Sequence, residues 1–344
     1  MVPEEWPIAV EPADRTVEPA RARGPSRLST VRRDFFLDPT ERLTEQERAL
    51  MTAMLLDLVG TLASSIRAAI GGKSSASAPA QPEPTRIAAL LGAAGLLDRP
   101  QLIRLMLRRA DEQRILSAFA GHAGPRRLSL LPAMVSDADP AIAAAAMALV
   151  LARGRRRDGF GQPRIDLSDL DRRDARAMAH AVAAALSPAA SSDGRYADAA
   201  TKTFDAINQE ESLDCAVEAL IEALDAAGRA DELTVEAASG EGEVALIAQL
   251  IARRAGINQP AVWDHLVNAG EGGLALVARM AGFSRRAAAR LIADLGSTSG
   301  AGSVEDEIAR YDALGDEEVA AALMHWQLPS DYRTAAGAIG GRNG

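Results

Sequence analysis

Six arginines carry the densest positive charge in this 344-residue chain: Arg153, Arg155, Arg156 and Arg157 in one run, Arg285 and Arg286 in another. Guanidinium groups in such clusters bind phosphates, carboxylates or acidic peptides through charge-assisted hydrogen bonds. The first run also suits a helix C-terminus, where the macrodipole favours cations. The second opens a helix in GGLALVARMAGFSRRAAARLIADLG, which reads as helix, tight turn, helix. Ala278 and Gly282 have the spacing of a DNA-reading helix-turn-helix, which would bring Arg285, Arg286 and Arg290 to the groove. The same residues make an ordinary helical pair, with Leu274, Val277, Ala278 and Ala281 on one stripe and Ala288, Leu291, Ile292 and Leu295 on the other. In that reading Gly282 stops the first helix and Ser284 caps the second.

Other chemistry is incomplete. Gly72-Lys73-Ser74 matches the end of a phosphate-binding loop, but Arg67 stands where the first glycine belongs. Gly240-x-Gly242-x-x-Ala245 fits a loose dinucleotide fingerprint, yet LTVEAAS before it lacks the apolar bulk of a buried strand. His122, His180, His265 and His325 share no metal-ligand spacing. No G-x-S-x-G occurs, and Cys215 is the single cysteine, with no base placed beside it in sequence. The chain is therefore expected to be no enzyme and to take no cofactor or metal.

The elements that would position these residues are helices. Alanine makes up about a fifth of the chain and aromatics 3%. Alanine has the best helix propensity, and its small side chain lets helices approach closely. Runs of Val, Ile, Thr and Tyr that strands need are nearly absent. An all-α, HEAT-like helical-repeat array is expected, with a long leading helix and a disordered N-terminal arm. Asp98-x-Pro100 and Asp139-Pro140 each open a helical stretch, and lie about forty residues apart, a HEAT-like period. EQRILSAFAG reads as a helix separate from QLIRLMLRRA, and Asp166 or Ser168 reads as the cap of LDRRDARAMAHAVAAAL.

Residues 1–42 form the arm and 43–71 the leading helix, with Thr44 and Glu47 as its capping box. Residues 72–84 read as a flexible linker. A basic to neutral half over 85–190 and an acidic half over 191–296 follow, then small helices and a loose tail over 297–344. Within 99–164 twelve arginines face five acids; within 203–250 twelve acids face Arg229 alone. Such asymmetry implies halves that dock on each other, or a basic surface awaiting an acidic partner. Net charge is −9, which disfavours non-specific contact with DNA or membranes. The longest apolar run, Ala141–Ala152, is too short to span a bilayer. The lone cysteine fits a reducing compartment, and the expected setting is the cytoplasm.

Four blocks carry a family resemblance: LTEQERALMTAMLLDLVGTLASSIRAAI, LDRRDARAMAHAVAAAL, LIARRAGINQPAVWDHL and GGLALVARMAGFSRRAAARLIADL. In this order, over residues 40–296, the chain resembles bacterial domain-of-unknown-function family twenty-three thirty-six. The resemblance implies helical repeats and transfers no activity and no catalytic residue. The function expected is a protein-interaction scaffold or regulatory adaptor with a protein partner. The alternatives are a DNA-binding regulator using 274–295 and, behind it, an enzyme of unknown class.

Overall fold

The computed structural model describes residues 43–71, 83–120, 129–188, 194–267, 272–298 and 303–329, with a few positions beyond 331. The N-terminal arm, the Gly72-Lys73-Ser74 motif and His122 lie outside the described residues. Among those described, fifteen α-helices and two short 3₁₀ turns account for the regular structure, and there is no strand. The one isolated bridge joins Arg157 to Pro163. The protein is all-α.

Helix α1 (Glu45–Ala69) begins at the Thr44–Glu47 capping box, in which the Thr44 hydroxyl accepts from the Glu47 N–H and the Glu47 carboxylate accepts from the Thr44 N–H. Its apolar face buries Met54, Leu58, Val59, Leu62, Ala63 and Ile66. It is the one described helix long and apolar enough to cross a membrane. Here that apolarity is used internally, against α2 (Pro84–Ala93), α6 (Arg172–Leu186) and α7 (Arg195–Asp205). Each of its fully buried Leu or Ile side chains contributes about 2 kcal/mol by area burial. Helices α6 and α7 meet through Ala175, Ala179, Ala199 and Ala200, whose small side chains allow close approach. The cap of α6 is Asp171, which accepts from the Asp174 N–H. Asp166, one of the two residues proposed from sequence, caps the preceding 3₁₀ turn at Leu167–Asp169 instead.

Helix α3 (Pro100–Ala120) is continuous where two helices were expected. The charged stretch around Arg109 and Asp111 reads as a helix end, but both side chains are buried, at 2% and 3% exposure. Arg109 reaches Asp214, far along the chain, and Asp111 accepts from Arg114 one turn on, so neither marks a terminus. With 21 residues, α3 is about 31 Å long. Its Leu102, Leu105, Met106 and Ala110 belong to the core around α1, and Ile115 belongs to a second core.

That second core gathers α4 (Leu130–Val135), α5 (Pro140–Arg155), α8 (Leu213–Ala226), α9 (Glu232–Gly240), α10 (Val244–Ala255), α11 (Gln259–Val267), α12 (Gly273–Met280), α13 (Arg285–Leu295) and α14 (Val304–Ala313). Helix α15 (Asp316–Gln327) covers its edge through Val319, Leu323 and Trp326. Consecutive helices pair, as in a repeat array, but elements far apart in sequence also pack: α5 on α8, α9 on α13, and α1 on α7. The two cores therefore do not follow the boundary near residue 190. Helices α4 and α5, from the basic half, join the acidic half, and α7 returns to the leading helix. The final helices are likewise part of the second core, with Tyr311 and Leu314 buried in it.

Candidate functional site: an arginine seam and an amphipathic groove

The basic and acidic segments meet along a seam. Arg109, on α3, donates to Glu112 one turn on at 2.7 Å and to Asp214 of α8 at 3.1 Å. Arg108 donates to the same Asp214 and to Gln259. Burial works against the charge on Arg109, but the carboxylates of Glu112 and Asp214 outweigh it and hold its pKa above the ordinary arginine value. Arg153 donates to both oxygens of Glu243, at the entry to α10. Arg229 pairs with Asp137 at 2.7 Å, and Glu241 accepts from the Leu130 N–H at the start of α4. Arg109, Glu112, Arg153 and Glu243 line a small cavity of about 50 Å³, with room for a few water molecules.

Of the six arginines singled out by sequence, most are committed to the fold. Arg156, expected on a surface, is buried at 7% exposure and bonds Asp169 at 3.0 Å, the Ser168 hydroxyl at 2.7 Å and the Glu211 carbonyl at 3.0 Å. Arg153 is half-buried against Glu243. Arg157 is exposed and donates to the Gly161 carbonyl, closing the loop after α5. Arg285 lies on a different helix and holds Asp312 with two bonds, at 2.8 and 2.9 Å. Arg286 is 80% exposed and reaches Glu236 at 3.2 Å. The six do not form one acidic-partner surface. Clustered charge is legible in sequence, whereas its neutralisation by carboxylates far along the chain is not.

The 272–296 stretch folds as helix, turn, helix. Gly282 takes φ +66°, and the Ser284 hydroxyl accepts from the Ala287 N–H. Both apolar stripes read from sequence are buried. The Ser284 hydroxyl and N–H in turn donate to the Glu232 carboxylate, whose pKa these bonds hold below its ordinary value. Each of the three arginines on α13 thus faces a carboxylate: Asp312, Glu236 or Asp294.

The glycine fingerprint is a loop between two helices. LTVEAAS belongs to α9, and Gly242 turns the chain with φ +69°. A Cβ there would stand 2.7 Å from the Phe119 ring on α3, so the glycine serves helix packing. Among the described residues no three His, Cys, Asp or Glu side chains lie together as metal ligands. Burial lowers the pKa of His265, which stacks edge-on against Trp326, 4.7 Å away.

Arg155 has a different setting. It ends α5, is exposed, and lines a groove of about 640 Å³ between α1, α7 and the 164–168 segment. Leu58, Leu62, Ile165 and Ile207 supply apolar lining, and Thr61, Ser65, Thr203 and Asn208 supply polar groups. Arg164, bonded to Asp57 at 2.7 Å, and Lys202, in the last turn of α7, add cations that sequence reasoning missed. Lys202, one of only two lysines in the chain, has no cluster of cations around it in sequence. Arg155 and Lys202 sit at helix C-terminal ends, where the dipole favours positive charge, and neither has an ion-pair partner among the described residues. Asp166 and Glu211 also line the groove, so its charge is mixed with a cationic excess.

No family model, curated protein or solved structure matches the chain. The blocks behind the family resemblance fall on α1, on α6, across α10 and α11, and across α12 and α13.

Proposed function

We propose that this chain is a non-enzymatic scaffold or regulatory adaptor of HEAT-like helical-repeat design. It would work in the cytoplasm and be kin to bacterial domain-of-unknown-function family twenty-three thirty-six. Its groove between α1 and α7 takes an acidic, amphipathic segment of a partner protein. The supporting observation is the groove itself: an apolar lining together with Arg155 and Lys202, two cations left without a carboxylate. Apolar side chains of the segment would lie along Ala68, Ala69, Ala206 and Ile207, and its carboxylates would meet the two cations. Charge-assisted contacts of this kind speed encounter and fix register.

A fluorescein-labelled peptide of alternating Glu and Leu residues tests the reading by anisotropy. Binding should weaken as salt rises from 50 to 300 mM, since exposed charges are screened. Replacing Arg155→Glu and Lys202→Glu together should reduce affinity by at least about tenfold, roughly 1.4 kcal/mol. Equal binding by wild type and the double variant would sink the proposal, as would turnover in a broad hydrolase screen. The DNA-reading alternative would require Arg285 and Arg286 to leave Asp312 and Glu236. No observation favours that exchange.

A further inference from the structure

Helix α5 is apolar all round. From Pro140 to Ala152 it carries no charged side chain. One face packs on α4 and α8 and buries Ile142, Ala146, Leu149 and Ala152. The opposite face is open, with Met147 43%, Val150 39% and Leu151 56% exposed, and Ala144 and Ala148 exposed beside them. A helix that is hydrophobic all round belongs in an interior, and large apolar side chains gathered on one exposed face mark an interaction surface.

The order of residues on this face is self-complementary. A two-fold axis placed between Met147 and Ala148 sets a second copy of the helix antiparallel to the first. Ala144 of one copy then opposes Leu151 of the other, Met147 opposes Ala148, and Ala141 opposes Gly154. Every large side chain meets a small one, which is the condition for two helix surfaces to interlock. The ends match in charge as well. Arg155, at the C-terminus of one helix, comes beside Asp139, the N-cap of the other, each already favoured by the dipole it sits on. An isologous interface needs this kind of self-match.

We propose that the chain forms a two-fold homodimer through the Ala144–Leu151 face of α5, with the helices antiparallel. The apolar Ala144–Leu151 face lies outside the groove lining, Arg155 borders both surfaces, and a dimer would present two grooves. One helix pair lies at the small end of specific interfaces, so a dissociation constant in the range of roughly 1–100 μM is expected.

Sedimentation equilibrium of the full chain between 1 and 300 μM tests this, in a Cys215→Ser background because Cys215 is exposed. Wild type should pass from monomer to dimer, and Leu151→Glu should stay monomeric at the highest concentration with its circular dichroism unchanged. A second test reads the register. The pair Ala144→Cys with Leu151→Cys should oxidise to a covalent dimer. Either cysteine alone should not, because each lies about 10 Å along the axis from its own counterpart, beyond disulfide reach. A monomer at 300 μM, a dimer indifferent to Leu151→Glu, or crosslinking by the single variants would each overturn the proposal. Leu151→Glu should leave peptide binding in the groove intact and Lys202→Glu should leave the dimer intact, so each reading can fail without the other.

Discussion

Asp111 shows how a single side chain couples this fold to pH. It sits at 3% exposure on α3 and pairs with Arg114 on its own helix, which also reaches Glu47 on α1. Burial lifts its pKa from an ordinary 3.8 to about 6, against the pull of the Arg114 cation. The folded state therefore favours the protonated acid. That contribution to stability is complete below about pH 4 and is lost as pH rises through 6; the full step is worth up to about 3 kcal/mol. Asp111→Asn should accordingly match wild type near pH 4 and become the more stable of the two by pH 7. Urea denaturation at the two pH values measures the gap, and a gap that stays constant between them would refute the assignment. Burial lowers the pKa of His265, which acts on stability with the opposite sign, so the informative quantity is the difference between variant and wild type.

At the scale of elements, the approach of α10 to α3 depends on one glycine. Gly242 combines a left-handed backbone with a position against the Phe119 ring. Gly242→Ala adds the strain of a positive φ, roughly 1 kcal/mol, and an overpacking cost of about 1–3 kcal/mol. Phe119→Leu in the same chain should recover part of the second cost and none of the first. The prediction fails if the single variant melts with wild type. Several helix starts follow local capping rules. Thr44, Asp139 and Ser284 cap the helices that sequence assigns to them. Asp171 caps α6 by a local bond from the Asp174 N–H, whereas in the unbroken α3 the deciding contacts came from elsewhere. Arg99, just before α3, reaches Asp174 in the first turn of α6 at 2.9 Å, and the charges inside α3 reach α8.

For the whole molecule, the charge asymmetry becomes a seam of paired groups between segments on either side of residue 190. If the arginine-rich 99–164 stretch and the acidic 203–250 stretch dock through exposed charges, the chain should loosen in salt. Burial changes that expectation, because buried pairs are screened far less than exposed ones. Melting temperature should move little between 0.05 and 0.5 M sodium chloride. Removing one partner should matter much more. Arg156→Met leaves Asp169, whose side chain is 1% exposed, as an uncompensated buried charge, at a cost of about 3–5 kcal/mol. A denaturation midpoint unchanged in that variant would show that the Arg156–Asp169 pair does not tie the two cores together.

The amino-acid sequence by itself determined the all-α class, most helix starts, the glycine stops and the buried stripes of α12 and α13. Each depends on residues within about four positions of one another, where propensity, capping and periodicity act. Only the tertiary structure decided which arginines remain available. Arg153, Arg156 and Arg285 meet carboxylates 90, 13 and 27 positions away, while Arg155 is left to line a groove with Lys202 from another helix. Coulomb attraction and burial depend on distance in space, and folding sets that distance through helix packing that no local spacing encodes.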